Sequence, residues 1–189
     1  MPAKIVSAPY TGVDWNTHIV LQSNDKPAVE LVVLREAALM STVISDMLAD
    51  QAPGEETVIP CLDVTATGPA LSYLIEYIEH HYNNKAEPIE KPLRTTLADV
   101  VSEWDKAFIY TDLVKGGVEK ENKLLMEVAL AANYLGIKDL VELCYAAAAS
   151  MIKGKTPEQI REIFAIESDL TAEQEEKIRE QNKQCLEDN

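Results

Sequence analysis

The sequence predicts an α+β fold, a small β-sheet flanked by helices, and three observations carry that prediction. Two β-rich runs, residues 17–21 and 29–33, flank the turn cluster Ser23-Asn24-Asp25-Lys26-Pro27 and read as a hairpin. From Met40 onward, most apolar residues recur at helical rather than alternating spacing. Late in the chain, two Thr-x-x-Gln signatures, Thr156 to Gln159 and Thr171 to Gln174, mark helix starts. Strands first and helices after is the pattern of a sheet with helices segregated to one side.

Taken in order, residues 1–16 have no period and contain Pro2, Pro9 and Gly12, which predicts a loose N-terminal extension. After the hairpin, Met40, Val43, Ile44, Met47 and Leu48 predict a first amphipathic helix. Residues 51–56, polar with Pro53-Gly54, predict a loop, and residues 57–60 a short strand. Leu71, Leu74, Ile75 and Ile78 predict a second helix. Residues 83–96, with Glu87-Pro88 and Lys91-Pro92, predict a mobile linker. Trp104, Phe108 and Ile109 predict a short helix that Lys115-Gly116-Gly117 ends.

Leu124, Leu125, Val128, Ala131, Ala132 and Leu135 form one apolar stripe, closed by Gly136 as a left-handed cap. Leu140, Leu143, Cys144, Ala147, Ala148, Met151 and Ile152 form a second, ending near Gly154. Thr156 then caps a short helix that has Pro157 at its first position, where the missing N–H costs nothing. Ile160, Ile163 and Phe164 share a face of that helix. At about eight residues it is marginal alone and must dock, either on its own domain or as one wall of a groove for a partner helix.

The chain has 189 residues, 47% of them hydrophobic, enough for one domain with a real core plus an appendage. With 32 acidic and 17 basic side chains its net charge is −15, which repels phosphate backbones and anionic lipid. Nucleic acid and membrane are therefore excluded as partners. The acidity suits either a basic protein surface or solubility alone. Cys61, Cys144 and Cys185 make no metal or disulfide pattern and fit a reducing compartment. Residues 1–16 lack a signal pattern and no apolar run reaches the roughly 18 residues a membrane helix needs, so a cytoplasmic or nuclear protein is expected.

No catalytic or cofactor grouping stands out. Gly154-Lys155-Thr156 resembles the end of a phosphate loop, but the glycine required five residues earlier is Ala149, on a helical stripe. His80 and His81 are adjacent, point about 100° apart on a helix, and read as a surface pair at its end. No histidine and cysteine spacing fits zinc. No enzyme activity, metal or cofactor is expected.

Two blocks carry more. Ala131-Ala132-Asn133-Tyr134-Leu135-Gly136-Ile137-Lys138-Asp139-Leu140 is followed by Met151-Ile152-Lys153-Gly154-Lys155-Thr156-Pro157-Glu158-Gln159-Ile160-Arg161. Weaker ones precede them: Ile19-Val20-Leu21-Gln22-Ser23-Asn24-Asp25, Met47-Leu48-Ala49-Asp50, His80-His81 and Glu103-Trp104-Asp105-Lys106-Ala107-Phe108. In this order they resemble the Skp family, adaptors that join F-box proteins to cullin in SCF ubiquitin ligase complexes. The resemblance runs from about His18 to Asp188.

It implies a BTB/POZ fold over residues 17–152 and a C-terminal helical F-box-binding extension over 153–189, working in ubiquitin-dependent protein degradation without catalysis. By position it assigns Asn133 and Tyr134 to cullin binding, which a rigid aromatic with a polar tip suits. To F-box binding it assigns Leu125, Met126, Val141, Ile152, Ile160, Phe164 and Ile166, each of which the stripes allow equally as core. Pro157 matches a proline that some unicellular eukaryotes hydroxylate and glycosylate. The chain departs from the family pattern at Gln184, where a tryptophan is expected, and at Met126, where an aromatic is. Residues 112–123 are longer than the pattern, and residues 1–16 are extra. Two other readings stand beside the ligase adaptor: an F-box-binding scaffold outside any ligase, and a BTB-type scaffold that self-associates as a weak homodimer.

Overall fold

The computed structural model describes residues 4–114, 122–167 and 170–187. Four strands, β1 (Lys4–Val6), β2 (His18–Gln22), β3 (Glu30–Leu34) and β4 (Val58–Pro60), form one sheet in the order β1-β3-β2-β4. β2 and β3 are the expected antiparallel hairpin, with Val20 opposite Val32. β2 lies inside the sheet and buries Ile19, Val20 and Leu21 in succession, whereas β3 alternates buried Leu31 and Val33 with half-buried neighbours. β4 returns parallel to β2 after the crossover through α1 (Arg35–Ala38) and α2 (Thr42–Leu48).

The N-terminal segment corrects the expectation of a loose extension. Lys4–Val6 pairs antiparallel with the outer edge of β3, Ile5 opposite Leu31. Tyr10 adds a hydrogen bond from its hydroxyl to Glu30 Oε1 at 3.0 Å and an edge-on contact with Trp15. The pairing is made by backbone while Lys4 and Ile5 stay exposed, so no hydrophobic alternation announces it.

Six further α-helices are described: α3 (Gly68–His81), α4 (Glu103–Ala107), which continues as a π-helical turn (Phe108–Leu113), α5 (Asn122–Tyr134), α6 (Lys138–Ile152), α7 (Pro157–Ile163) and α8 (Ala172–Glu187). Thr67 caps α3 by accepting from Ala70 N–H, and Asp25 in the hairpin turn accepts from Gly68 N–H at 2.6 Å. This ties the first turn of the helix to the sheet. Leu71, Leu74, Ile75 and Ile78 then face a core shared with Leu125, Val128 and Ala132 of α5 and with Leu140, Cys144 and Ala147 of α6. Residues 83–96 carry no regular element, and Ile89 and Leu93 pack against the core. Lys91 also meets Glu142 of α6 at 2.8 Å.

The histidine pair is a second correction. His80 stacks flat on Trp104, ring centroids 3.9 Å apart, while His81 is buried between α3 and α4. His81 Nε2 lies 2.9 Å from Asp105 Oδ1 and Nδ1 lies 2.7 Å from the Asn84 carbonyl oxygen. Both neighbours are acceptors, so the ring satisfies both only as an imidazolium. Burial opposes that charge, but the Asp105 hydrogen bond, the Asn84 carbonyl and the Asp105 charge outweigh it, and the His81 pKa is raised. Asp105 is also desolvated, yet its bonds from His81 and Ser102 hold its carboxyl below the usual range.

The linkage follows from these directions. His81 contributes stability that is fully present below its unfolded pKa, near 6.5, and is lost as pH rises through the folded value. Asp105 contributes above its unfolded pKa, near 3.8, and loses its part as pH falls through the folded one. Urea unfolding should therefore show the pair's contribution greatest between about pH 4 and pH 6.5. Asp105→Asn should lower stability in that window by about 2 kcal/mol and flatten the fall above it. An unchanged profile in the variant would refute the assignment.

Candidate partner-binding surfaces

α5 and α6 form an antiparallel hairpin, and its tight turn fixes the end of α5. Gly136 has φ 69°, the left-handed region predicted for it. A Cβ there would also approach Thr42 Oγ1 to 2.1 Å, so space as well as backbone requires glycine. The buried Ser41 hydroxyl accepts from Ile44 N–H as the N-cap of α2 and donates to the Leu135 carbonyl oxygen at 2.5 Å. One side chain thereby joins the start of α2 to the end of α5.

The two residues assigned to cullin stand on this fixed end. Asn133 is exposed, and Tyr134 is half-buried with its ring against the core. Leu130, one turn earlier and 49% exposed, extends the same face. The sequence gives Leu130 no signal of its own, because its apolar character merges with the core stripe beside it.

The F-box set divides into three. Leu125 is 0% exposed and belongs to the core, so it backs the surface and offers nothing to a partner without rearrangement. Met126 and Val141 are half-buried on α5 and α6. Ile160 and Phe164 are half-buried too, and Ile152 and Ile166, 38% and 54% exposed, are the open members. No residue of α7 is fully buried, so its apolar side chains are only partly covered by its own domain.

α7 begins as the sequence predicts: Thr156 and Gln159 exchange the reciprocal bonds of a capping box, and Pro157 occupies the first turn, exposed. This accounts for Thr156 in the apparent phosphate loop, and Gly154, at φ 73°, follows the end of α6. The buried Asn122 donates from Nδ2 to the Ile163 carbonyl oxygen at 2.5 Å, tying the end of α7 to the start of α5. Ala165 just beyond has φ 48°, a conformation that favours glycine or asparagine.

Thr171 and Gln174 repeat the capping device on α8. Arg161 of α7 meets Glu175 of α8 at 2.9 Å, and Arg179 of α8 meets Glu158 of α7 at 2.8 Å, which joins the two helices by crossed charges. Gln184 and Cys185 fall on α8, but their side chains lie outside the described residues. Most of the long segment after Asp112, residues 115–121, does too. Among the described residues no three histidine, cysteine or acidic side chains converge as a metal site, and no helix is long and apolar enough to cross a membrane.

Comparison with known proteins matches residues 17–83 to the Skp1 family tetramerisation domain and residues 138–185 to the Skp1 family dimerisation domain. The chain is 39% identical over 170 residues to the S-phase kinase-associated protein 1 homolog of Tetrahymena thermophila, covering 89% of this chain and 93% of the relative. The chain belongs to the Skp1 family. Other members match over similar spans. The E3 ubiquitin ligase complex SCF subunit sconC of Talaromyces marneffei is 36% identical, covering 87% of this chain and 94% of its own length. The SCF ubiquitin ligase complex protein SKP1a of Dictyostelium discoideum is 34% identical, covering 88% and 94%. Residues 17–83, which hold β2, β3, β4 and α1 to α3, are thus the POZ part of a Skp1-family protein, and the fold is the expected α+β BTB/POZ architecture. β1 lies before the matched region.

Two variants test this geometry. Ser41→Ala removes a cap and leaves the Leu135 carbonyl unpaired, and should lower unfolding free energy by about 2–3 kcal/mol in urea titrations. Ala165→Gly should raise it, by up to about 1 kcal/mol, by relieving the left-handed alanine. A Ser41→Ala protein as stable as the parent would show that the corner is held elsewhere.

Proposed function

We propose that this chain is the adaptor subunit of an SCF-type E3 ubiquitin ligase, holding an F-box protein and a cullin at fixed separation and performing no chemistry itself. The observation that carries the reading is the placement of two partner-type surfaces, one at the α5–α6 turn and one where α6 runs into α7. Asn133 and Tyr134 occupy the α5–α6 corner, anchored through Ser41. The partly open apolar strip of Ile152, Ile160, Phe164 and Ile166 occupies the other end of α6 and α7.

An adaptor needs such rigidity because its product is a distance. The strip suits the apolar face of a helical F-box, and Asn133 with Tyr134 offers a compact polar and aromatic contact to the cullin. The names of the relatives, as SCF subunits, support the same role. Pro157, exposed at the head of α7, is accessible to hydroxylation.

A second reading also has an observation behind it. Both matched family domains are named for self-association, so a second copy of this chain competes for the apolar strip.

The test uses the full chain with a purified F-box domain and a purified cullin N-terminal domain. Wild type should bind both at once. Tyr134→Ala should weaken cullin at least about tenfold and leave the F-box affinity unchanged. F-box binding without any cullin binding would favour a scaffold outside a ligase. Sedimentation showing a concentration-dependent dimer, with neither partner bound, would favour the self-associating form.

A further inference from the structure

A cavity of about 430 Å³ lies where the end of α6, the π-helical turn, the start of α5 and the end of α7 meet, a size usual for a ligand cleft. Val114, Met151 and Ile163 give it apolar walls, and Tyr110, Ser150 and Lys155 bring polar groups to it. Ser150 stands nine residues after Val141 and two before Ile152. At 100° per residue it lies on the side of α6 turned away from both. The body of the helix therefore separates this cavity from the apolar strip.

The polar lining has two unusual members. The Ser150 hydroxyl is buried and has no hydrogen-bond partner among the described residues. A serine inside a helix ordinarily donates to the carbonyl four residues back, and this one does not. Buried hydroxyls are almost always paired, so one left unpaired beside a cavity can turn about its χ1 bond and donate to a ligand. Lys155 is the other. Among the described lining residues it is the one charged side chain, and none of them is acidic. In a chain of net charge −15, a cavity of positive sign runs against the prevailing field.

The walls are built without a ligand. Asn122 donates to the Ile163 carbonyl oxygen at 2.5 Å and closes one side. The Lys155 N–H donates to the Ile152 carbonyl oxygen at 3.0 Å and fixes the backbone from which the ammonium group reaches.

We propose that this cavity binds a small carboxylic acid, its carboxylate between Lys155 and Ser150 and its apolar body against Val114, Met151 and Ile163. One lysine balances one negative charge, and an ammonium with a hydroxyl beside it matches the acceptors of a single carboxylate. A phosphate dianion would leave about one charge unbalanced, and the apolar walls offer it nothing. The proposal stands independently of the adaptor role.

The test is a nuclear magnetic resonance titration of the ¹⁵N-labelled full chain with sodium octanoate. Saturable shifts should appear at Val114, Ser150, Met151 and Lys155, with a dissociation constant of about 1 mM or below. Octanol, with the same body and no charge, and sodium phosphate, with charge and no body, should each bind at least about tenfold more weakly. Lys155→Gln should cost octanoate about tenfold, and Ser150→Ala several-fold. Lys153→Gln, outside the cavity, should bind as wild type does. Unchanged amide spectra of the free variants away from the substituted residue separate lost contact from lost fold. Octanoate shifts confined to other surfaces would overturn the proposal. So would octanol binding as tightly as octanoate, or octanoate affinity within twofold of wild type in both Lys155→Gln and Ser150→Ala.

Discussion

The hydroxyl of Ser41 does two jobs at one buried point. It accepts a hydrogen bond from the first turn of α2 and donates one to the carbonyl at the end of α5. Neither helix end could sit unsatisfied inside the core, so each depends on the same oxygen. Gly136 permits the approach, because any side chain there would collide with Thr42. From that corner the direction of α5 and the start of α6 are fixed, and with them the separation between Asn133 and the apolar strip. The geometry of both surfaces is set at a buried point between α2 and α5.

A comparable logic runs through the other contacts between elements. Asp25 reaches from the hairpin turn to the first turn of α3. Asn122 reaches from α5 to the last carbonyl of α7. His81 and Asp105 bridge α3 and α4. In each case a polar side chain satisfies a helix end or another polar group across a sequence gap, while the apolar core supplies bulk burial. Burial favours compactness without direction, and these bonds choose one arrangement among the compact ones. α7 and α8 are held differently. Asn122 ties α7 to α5, while crossed charges join α8 to α7 where solvent weakens such pairs, so the docking of α8 is more readily exchanged than that of α3, α5 or α6.

Much of the architecture was legible in the sequence because its signals are local. The hairpin runs, the stripes of α3, α5 and α6, the Gly136 cap and both capping boxes depend on residues within a few positions of one another, and each recurs in the structure. β1 was not legible, since three residues pairing through backbone with an edge strand leave no alternation. His81 was misread for a related reason: its partner, Asp105, lies 24 residues away, and nothing in an adjacent histidine pair reveals that one ring is buried. The F-box set shows the same boundary. Periodicity placed Leu125 and Ile152 alike on apolar faces, and only packing separated the buried leucine from the exposed isoleucine.

β1 carries a consequence for the sheet's rim. β3 is five residues of Glu, Leu and Val, and without a neighbour its outer backbone would present a flat, apolar edge that invites pairing with any extended chain. Lys4–Val6 occupies that edge and replaces it with a shorter one headed by a lysine. The segment that precedes the matched region thus works as a selvedge, a finished border that covers the sheet's rim.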